Sequence, residues 1–327
     1  MSITIKSAIV NILNSSGGSA IVSDVPLIIS DDLNNYLSKV IEKSFFSDDI
    51  KTCEFKTGSD FWNQCNSVSW DIVTISRHIS NSMFAFMKRN NEIPSADILY
   101  GIAMIENTDY FYMLKMDYKN AYVHFAESKN NEVSVNIIQN SSLWPAHSSK
   151  LLEGFFVFMD RPLVKVLEKK YTVDGIKDYY ISSQILVCAE SATPRQKATR
   201  IMKAAEKIAT TYYKTEDDID IHIASMMNEE LKKEDSVYVE TLGEKFFEKN
   251  LAAQNEFYEI LSKDNISRDD ALCLSENFQK KFQKQSLKSA SGVEIRIPTQ
   301  LYSDENEIEF INNPDGTVSL LIKNIEF

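Results

Sequence analysis

Glycine is scarce in this chain, nine in 327 residues. No GxGxxG and no GxxxxGK[ST] occurs, so the glycine-lined turns that cradle a nucleotide's phosphates are missing. GxSxG and HExxH are absent too, which removes the local signatures of α/β-hydrolases and zinc peptidases. Cysteine is rare: Cys53, Cys65, Cys188 and Cys273 are scattered, without a CxxC. They read as free, mostly buried thiols in a reducing cytoplasm rather than a disulfide or zinc framework. The four histidines, His78, His124, His147 and His222, are isolated. Asp218 and His222 fall four apart on a predicted helix, which is more simply a surface charge contact than a metal site. No metal or cofactor is expected. No run approaches eighteen apolar residues, so no membrane span is expected. Met1-Ser2-Ile3-Thr4-Ile5-Lys6 lacks the basic start and apolar core of an export signal.

What remains is an ordinary soluble composition, 43% hydrophobic and 25% charged, in a chain long enough for two or three domains. The net charge is −12, but the charges are sorted. Between Ser191 and Lys214 there are six bases and one acid (Glu206), whereas Glu216 to Asp270 carries six bases and sixteen acids. A sorted basic strip is what a phosphate, or another acidic surface, would grip.

The pattern predicts an α+β protein in three regions. Residues 1–190 mix helix and sheet. Ile3 to Ile12 reads as a strand and Asp31 to Phe46 as a helix with Leu33, Tyr36, Leu37, Val40 and Ile41 at helical spacing. A longer helix, continuous or broken, follows from about Asp60 to Lys88. Ile98–Ile105, Tyr110–Tyr118, Ala121–Ala126 and Val133–Ile138 then read as strands joined by short turns, hence an antiparallel sheet. Leu151–Phe158 and Ile181–Cys188 are further strand candidates. Residues 191–287 are predicted helical and charged, ending in a helix from Ser267 to about Gln285. Residues 288–327 are predicted to be a small β unit. A unit that small buries little alone, so it should dock on the rest of the chain or pair with a second subunit.

Thr193-Pro194-Arg195-Gln196 opens the basic helix with a capping box and a proline in the first turn. At about 100° per residue, Ala198, Ile201, Met202, Ala205, Ile208, Ala209 and Tyr212 share one face. Arg200, Lys203, Lys207 and Lys214 fall in a narrow arc almost opposite, with Arg195 and Lys197 outside it. On the last predicted helix, Lys280, Lys281, Lys284 and Lys288 share a broad face, with Arg296 on the strand beyond. Together, Arg195, Arg200, Lys203, Lys207, Lys214, Lys280, Lys281, Lys284 and Lys288 are the candidate phosphate contacts. Such binding would be sequence-tolerant and strongly salt-dependent. No aromatic residue interleaves the two rows, so base stacking on single strands is not supported. The plain alternative is a solvated cationic face, or one neutralised by the acidic helices that follow.

Two other classes stay open. The acidic helices of Glu216–Asp270 could dock on a basic protein, with only indirect contact to DNA. Asp117-Tyr118-Lys119, with Asp97, Glu106 or Asp109 near strand ends, is the acid-x-Lys pattern of a Mg²⁺-dependent nuclease, although hairpin-turn polarity accounts for it more simply.

Several blocks together resemble a family. They are Leu99-Tyr-Gly-Ile-Ala-Met-Ile-Glu106, Tyr110-Phe-Tyr-Met-Leu-Lys-Met-Asp117, Thr193-Pro-Arg-Gln-Lys-Ala-Thr-Arg-Ile-Met-Lys-Ala-Ala-Glu-Lys207, Ser291-Gly-Val-Glu-Ile-Arg-Ile297 and Asp315-Gly-Thr-Val-Ser-Leu-Leu-Ile-Lys323. In this order they resemble the bacterial nucleoid-associated proteins of the NdpA or YejK group. The resemblance implies a cytoplasmic protein of the nucleoid, without known catalysis, that binds DNA or DNA-bound proteins such as type II topoisomerases. It supplies no catalytic residues; the basic residues above come from helical geometry alone. A homodimer is expected, since the short β tail needs a cover.

Overall fold

The computed structural model describes residues 2–15, 18–129, 132–173, 175–189, 191–213, 219–233, 236–248, 250–280, 282, 284–288, 291–298, 301, 306–314 and 317–324, with residues 219–222, 277, 284–286, 288, 312 and 318 placed by their backbone alone. The chain forms two compact units, Met1–Ser191 and Ala192–Phe327. It is a mixed α+β protein in which every described strand pairing is antiparallel.

Unit 1 runs β1 (Ile3–Leu13), α1 (Asp31–Phe45), β2 (Ile50–Glu54), α2 (Phe61–Ser67), α3 (Ile72–Arg89), β3 (Ala96–Ile105), β4 (Thr108–Asp117), β5 (Lys119–Lys129), β6 (Glu132–Leu143), β7 (Gly154–Phe158), β8 (Leu163–Leu167), β9 (Tyr171–Val173) and β10 (Ile176–Asp178). Six strands make one sheet in the order β1-β3-β4-β7-β8-β2. β4 reads Tyr-Phe-Tyr-Met-Leu-Lys-Met over 110–116, and all seven residues are buried. Both faces must therefore be covered. Tyr110, Tyr112, Leu114 and Met116 pack with Leu37, Val40, Ile41 and Phe45 of α1. Phe111 and Met113 pack with Ile75, Ile79 and Met83 of α3. Each such apolar side chain contributes about 1.5–3 kcal/mol on burial.

The helices start where their caps dictate. The Ser30 hydroxyl accepts the Leu33 N–H ahead of α1, and Asp31 and Asp32 sit at its positive end. The Asp71 carboxylate accepts the Thr74 N–H at 2.9 Å ahead of α3, and hydrogen bonds from Thr74 lower its pKa. The helix expected from Asp60 to Lys88 is broken, at the turn between α2 and α3.

Burial also makes unit 1 sensitive to alkali. Cys53 is pushed from its ordinary 9.0 to about 11 by burial, and Cys65 to about 12. The folded state holds these protons more tightly than the unfolded chain does. Their contribution is therefore complete below the unfolded value and is lost as pH rises through the folded one. For Cys53 the loss is about 2–3 kcal/mol. All three tryptophans, Trp62, Trp70 and Trp144, belong to unit 1, so their fluorescence follows that unit. Urea midpoints read this way should fall steadily above pH 9; a midpoint flat up to pH 11 would contradict the burial argument.

Two predicted elements do not form. Ile181–Cys188 is not a strand: Ile181–Ile185 forms a single π-helical turn. Tyr180 stacks on Phe86 of α3, with ring centroids 5.4 Å apart, and Ile181 is fully buried beside it. That packing demands a compact turn and overrides the β-branched composition. The second failure lies in unit 2.

Unit 2 runs α4 (Pro194–Tyr212), α5 (Ile219–Lys233), β11 (Val237–Tyr238), α6 (Val239–Phe247), α7 (Leu251–Lys263), β12 (Ala271–Leu272), α8 (Glu276–Gln279), β13 (Lys284–Lys288), β14 (Glu294–Pro298), β15 (Ile308–Asn312) and β16 (Val318–Ile322). The helix predicted from Ser267 to Gln285 does not form. Asp270 does accept the Ser267 N–H at 3.1 Å, as a cap would. The chain then pairs Ala271–Leu272 with Val237–Tyr238, and Ser275 caps the four-residue α8 instead. The C-terminal end of the expected helix becomes the start of β13, paired with β14. These strands share a small core with the β15–β16 hairpin, where Ile297 and Ile308 are buried against Leu287, Ile295, Phe310 and Leu320.

Candidate nucleic-acid interface

The basic helix is built as its sequence requires. Thr193 accepts the Gln196 N–H at 3.1 Å, Gln196 returns a bond to the Thr193 N–H at 3.0 Å, and Pro194 fills the first turn. Ala198, Ile201, Ala204, Ala205, Ile208 and Ala209 are buried. Four alanines let α4 approach its neighbours closely. The core beneath is aromatic, with Phe246, Phe247, Phe257 and Tyr258 in edge and tilted contacts. Tyr212, expected on the buried face, is 39% exposed, and its hydroxyl donates to Glu256 Oε2 at 3.1 Å.

The cations divide into two groups. Those near the helix start are engaged within unit 2. The Arg195 guanidinium lies over the Phe278 ring, 5.1 Å from its centroid. Lys197 Nζ is 3.1 Å from Asp270 Oδ2. Arg200 Nη1 donates to the Asp264 carbonyl at 3.1 Å; that residue caps the C-terminus of α7, where a cation complements the helix dipole. Lys203 and Lys207, one and two turns further on, are exposed and have no ion-pair or hydrogen-bond partner among the described residues.

Thr199, Lys203, Lys207 and Thr211 recur every four residues, and all are exposed. Their row contains no acid. The two threonine hydroxyls donate to the carbonyls of Arg195 and Lys207, so the ammonium groups supply its free donors. Lys203 and Lys207 are separated by about 6 Å along the axis. Phosphates of one DNA strand advance about 3.4 Å each along the duplex, so the pair can span neighbouring phosphates.

The remaining candidates lie elsewhere. Lys214 and Lys281 fall outside the described residues. Lys280 is the exposed C-cap of α8. Lys284 and Lys288 stand at the two ends of β13, in register with Pro298 and Glu294. The second row is therefore not the helical face that spacing suggested. Arg296 is paired with Glu294 at 3.1 Å. Counting charges found the basic helix. It missed Thr199 and Thr211, and it missed which partners absorb the first cations; Asp264, Asp270 and Phe278 stand some sixty to eighty residues away.

The acid-x-Lys alternative takes a different form from the one its spacing suggested. Asp117 meets Lys115, not Lys119, at 2.5 Å. Lys115 also reaches Glu153 Oε2 at 2.9 Å, which in turn accepts the Tyr171 hydroxyl at 2.6 Å. Asp97 accepts Tyr118 Oη at 2.5 Å and Trp144 Nε1 at 2.7 Å. Asp109 pairs with Lys6 at 2.6 Å. Among the described residues no group of three or more His, Cys, Asp or Glu side chains converges as metal ligands would. Asp218 falls outside the described residues, and His222 is placed only by its backbone on α5. No helix among the described residues is long and apolar enough to cross a membrane.

A family model described as nucleoid-associated protein YejK matches residues 9–327. No curated protein matches the chain.

Proposed function

This chain belongs to the family of nucleoid-associated proteins described as YejK, and from that premise we propose that it binds duplex DNA along the backbone, tolerant of sequence and without catalysis, through the exposed lysine row of α4. The observation that carries this reading is the contrast within one helix. Arg195, Lys197 and Arg200 are spent on unit 2 itself, whereas Lys203 and Lys207 face solvent in an acid-free row. Lys214, Lys280, Lys281, Lys284 and Lys288 are further sources of positive charge in the same unit. A net charge of −12 repels DNA at long range, so contact depends on this local surface and weakens steeply with salt.

The test is duplex binding by wild type and by Lys203→Glu/Lys207→Glu across a salt series. Removing two phosphate contacts should flatten the slope of log K against log salt by about 1.8, and reversing both charges should weaken binding ~10-fold or more near 0.1 M salt. Unchanged affinity and slope would remove α4 from the interface.

A second reading rests on α6. Glu240 and Glu244 lie one turn apart on its exposed side, and Glu248, also exposed, is its C-cap. Such an acidic row suits a basic protein surface, in keeping with a partner at DNA such as a topoisomerase, with DNA contact then indirect. Purified protein that fails to shift DNA, yet binds a basic partner and loses it on Glu240→Lys/Glu244→Lys, would favour this reading over the first.

A further inference from the structure

Strands β5 and β6 leave the main sheet and form a two-stranded ribbon of their own. It pairs from Lys119–Leu143 to Lys129–Glu132, and not one of its described residues is buried. A free two-stranded hairpin is at best marginally stable in water, so a ribbon this long needs a surface to lie on. Directly opposed residues share a face. One face therefore gathers Tyr122, His124, Ala126 and Ser128 with Gln139, Ile137, Val135 and Val133. It carries no Asp, Glu, Lys or Arg, and Val133, Val135 and Ile137 are 72%, 65% and 68% exposed. The opposite face carries the charges, Glu127, Lys129 and Glu132, towards the ribbon's tip, and its apolar residues Phe125 and Ile138 are less exposed, at 46% and 44%. An uncharged face is also a poor match for phosphate.

The same unit displays a second apolar surface. Between β1 and α1, Ile21, Val25 and Ile28 are 64%, 67% and 97% exposed. This segment is not loose. Ile21 exchanges two backbone bonds with Ile12, and the Leu27 N–H donates to the Ala8 carbonyl at 2.7 Å, tying it along edge strand β1. Asp24, the acid nearest its centre, is paired with Arg77.

We propose that the β5–β6 ribbon is a dimerisation arm, its uncharged face lying along the Ile21–Ile28 segment of a second copy of this chain, reciprocally about a two-fold axis. Area selects the occupant. The paired stretch is about 30 Å long at 3.4 Å per residue and about 10 Å wide, so one face offers roughly 300 Å². One arm on a foreign partner would bury about 600 Å² in all, the size of a chance contact, whereas two reciprocal arms bury about 1,200 Å², where stable specific interfaces begin. Only self-pairing doubles the area, because each copy contributes both an arm and a seat.

Sedimentation equilibrium of the full chain decides it. Wild type should sediment at twice its 37.3 kDa mass. Val135→Asp/Ile137→Asp should weaken self-association ~100-fold or more while leaving the far-UV spectrum and the tryptophan-detected unfolding of unit 1 unchanged. Ile28→Asp should do the same from the other side of the contact. Asn136→Asp, on the opposite face, should still dimerise. A monomeric wild type, or a dimer indifferent to Val135→Asp/Ile137→Asp, overturns the arm. A dimer sensitive to those changes but not to Ile28→Asp overturns the seat.

Discussion

Glu168→Ala should lower the stability of unit 1 by about 3–5 kcal/mol, the cost of stranding one member of a buried ion pair. Lys51 Nζ lies 2.8 Å from Glu168 Oε1, with the two side chains 4% and 1% exposed. The Ser182 N–H and hydroxyl hold the carboxylate at 2.9 and 2.5 Å, and the Tyr179 ring lies 4.3 Å from the ammonium. Burial works to lower the pKa of Lys51, but the Glu168 carboxylate outweighs it and the net shift is upward. The pair's contribution is therefore complete below the ordinary lysine value of 10.5 and fades as pH rises through the folded value. In the variant, burial loses its main opponent and the sign reverses. The gap between the two urea midpoints, read by tryptophan fluorescence, should be widest near neutrality and narrow in strong alkali. Lys51→Met/Glu168→Leu, which removes both charges, should recover most of the loss. A Glu168→Ala protein that unfolds like wild type would mean the pair contributes nothing.

Gly101→Ala should cost about 3 kcal/mol, the upper end of what one added methyl does in a packed interior. A Cβ there would stand 2.2 Å from the Ser7 carbonyl oxygen and 2.5 Å from the Tyr112 hydroxyl. The first atom is backbone and cannot swing aside. Ser7 is where β1 regains register with β3 after the irregularity at Lys6, so relief would require moving an edge strand whose bulge is already set. Gly18 is the control: nothing lies within 4 Å of its Cβ position. Gly18→Ala should be neutral or gain up to ~1 kcal/mol by restricting the unfolded chain. Equal midpoints for the two alanine variants would refute the close approach.

Local signals sufficed wherever one element's own residues decide its form. The stripe of α1, the cap at Thr193, and the strand runs joined by short turns that give an antiparallel sheet stand in the sequence as they stand in the fold. Distant residues decided the rest. The Ser267–Asp270 cap forms, but a two-residue ladder with Val237–Tyr238 ends any helix behind it. Ile181–Ile185 looks extended until Phe86, almost a hundred positions earlier, packs against Tyr180. The site behaves alike. Charge counting locates α4, whereas the neutralisation of Lys197 and Arg200 depends on Asp270 and on the end of α7. The alternation in β5 and β6 announces a sheet; it cannot say that this pair stands apart from the other six strands.

Lys115 gives the central strand a kind of proofreading. Its ammonium sits on the α3 side of the sheet, between Asp117 and Glu153, with its side chain fully buried. A slip of β4 by one residue would turn it to the other side, among the apolar side chains of Leu37, Val40 and Ile41 and away from Glu153. The otherwise interchangeable run Tyr-Phe-Tyr-Met-Leu could accept such an error at little cost, since both of its faces are apolar. One lysine makes the mistaken alignment prohibitive, and so turns a merely greasy strand into one with a single address.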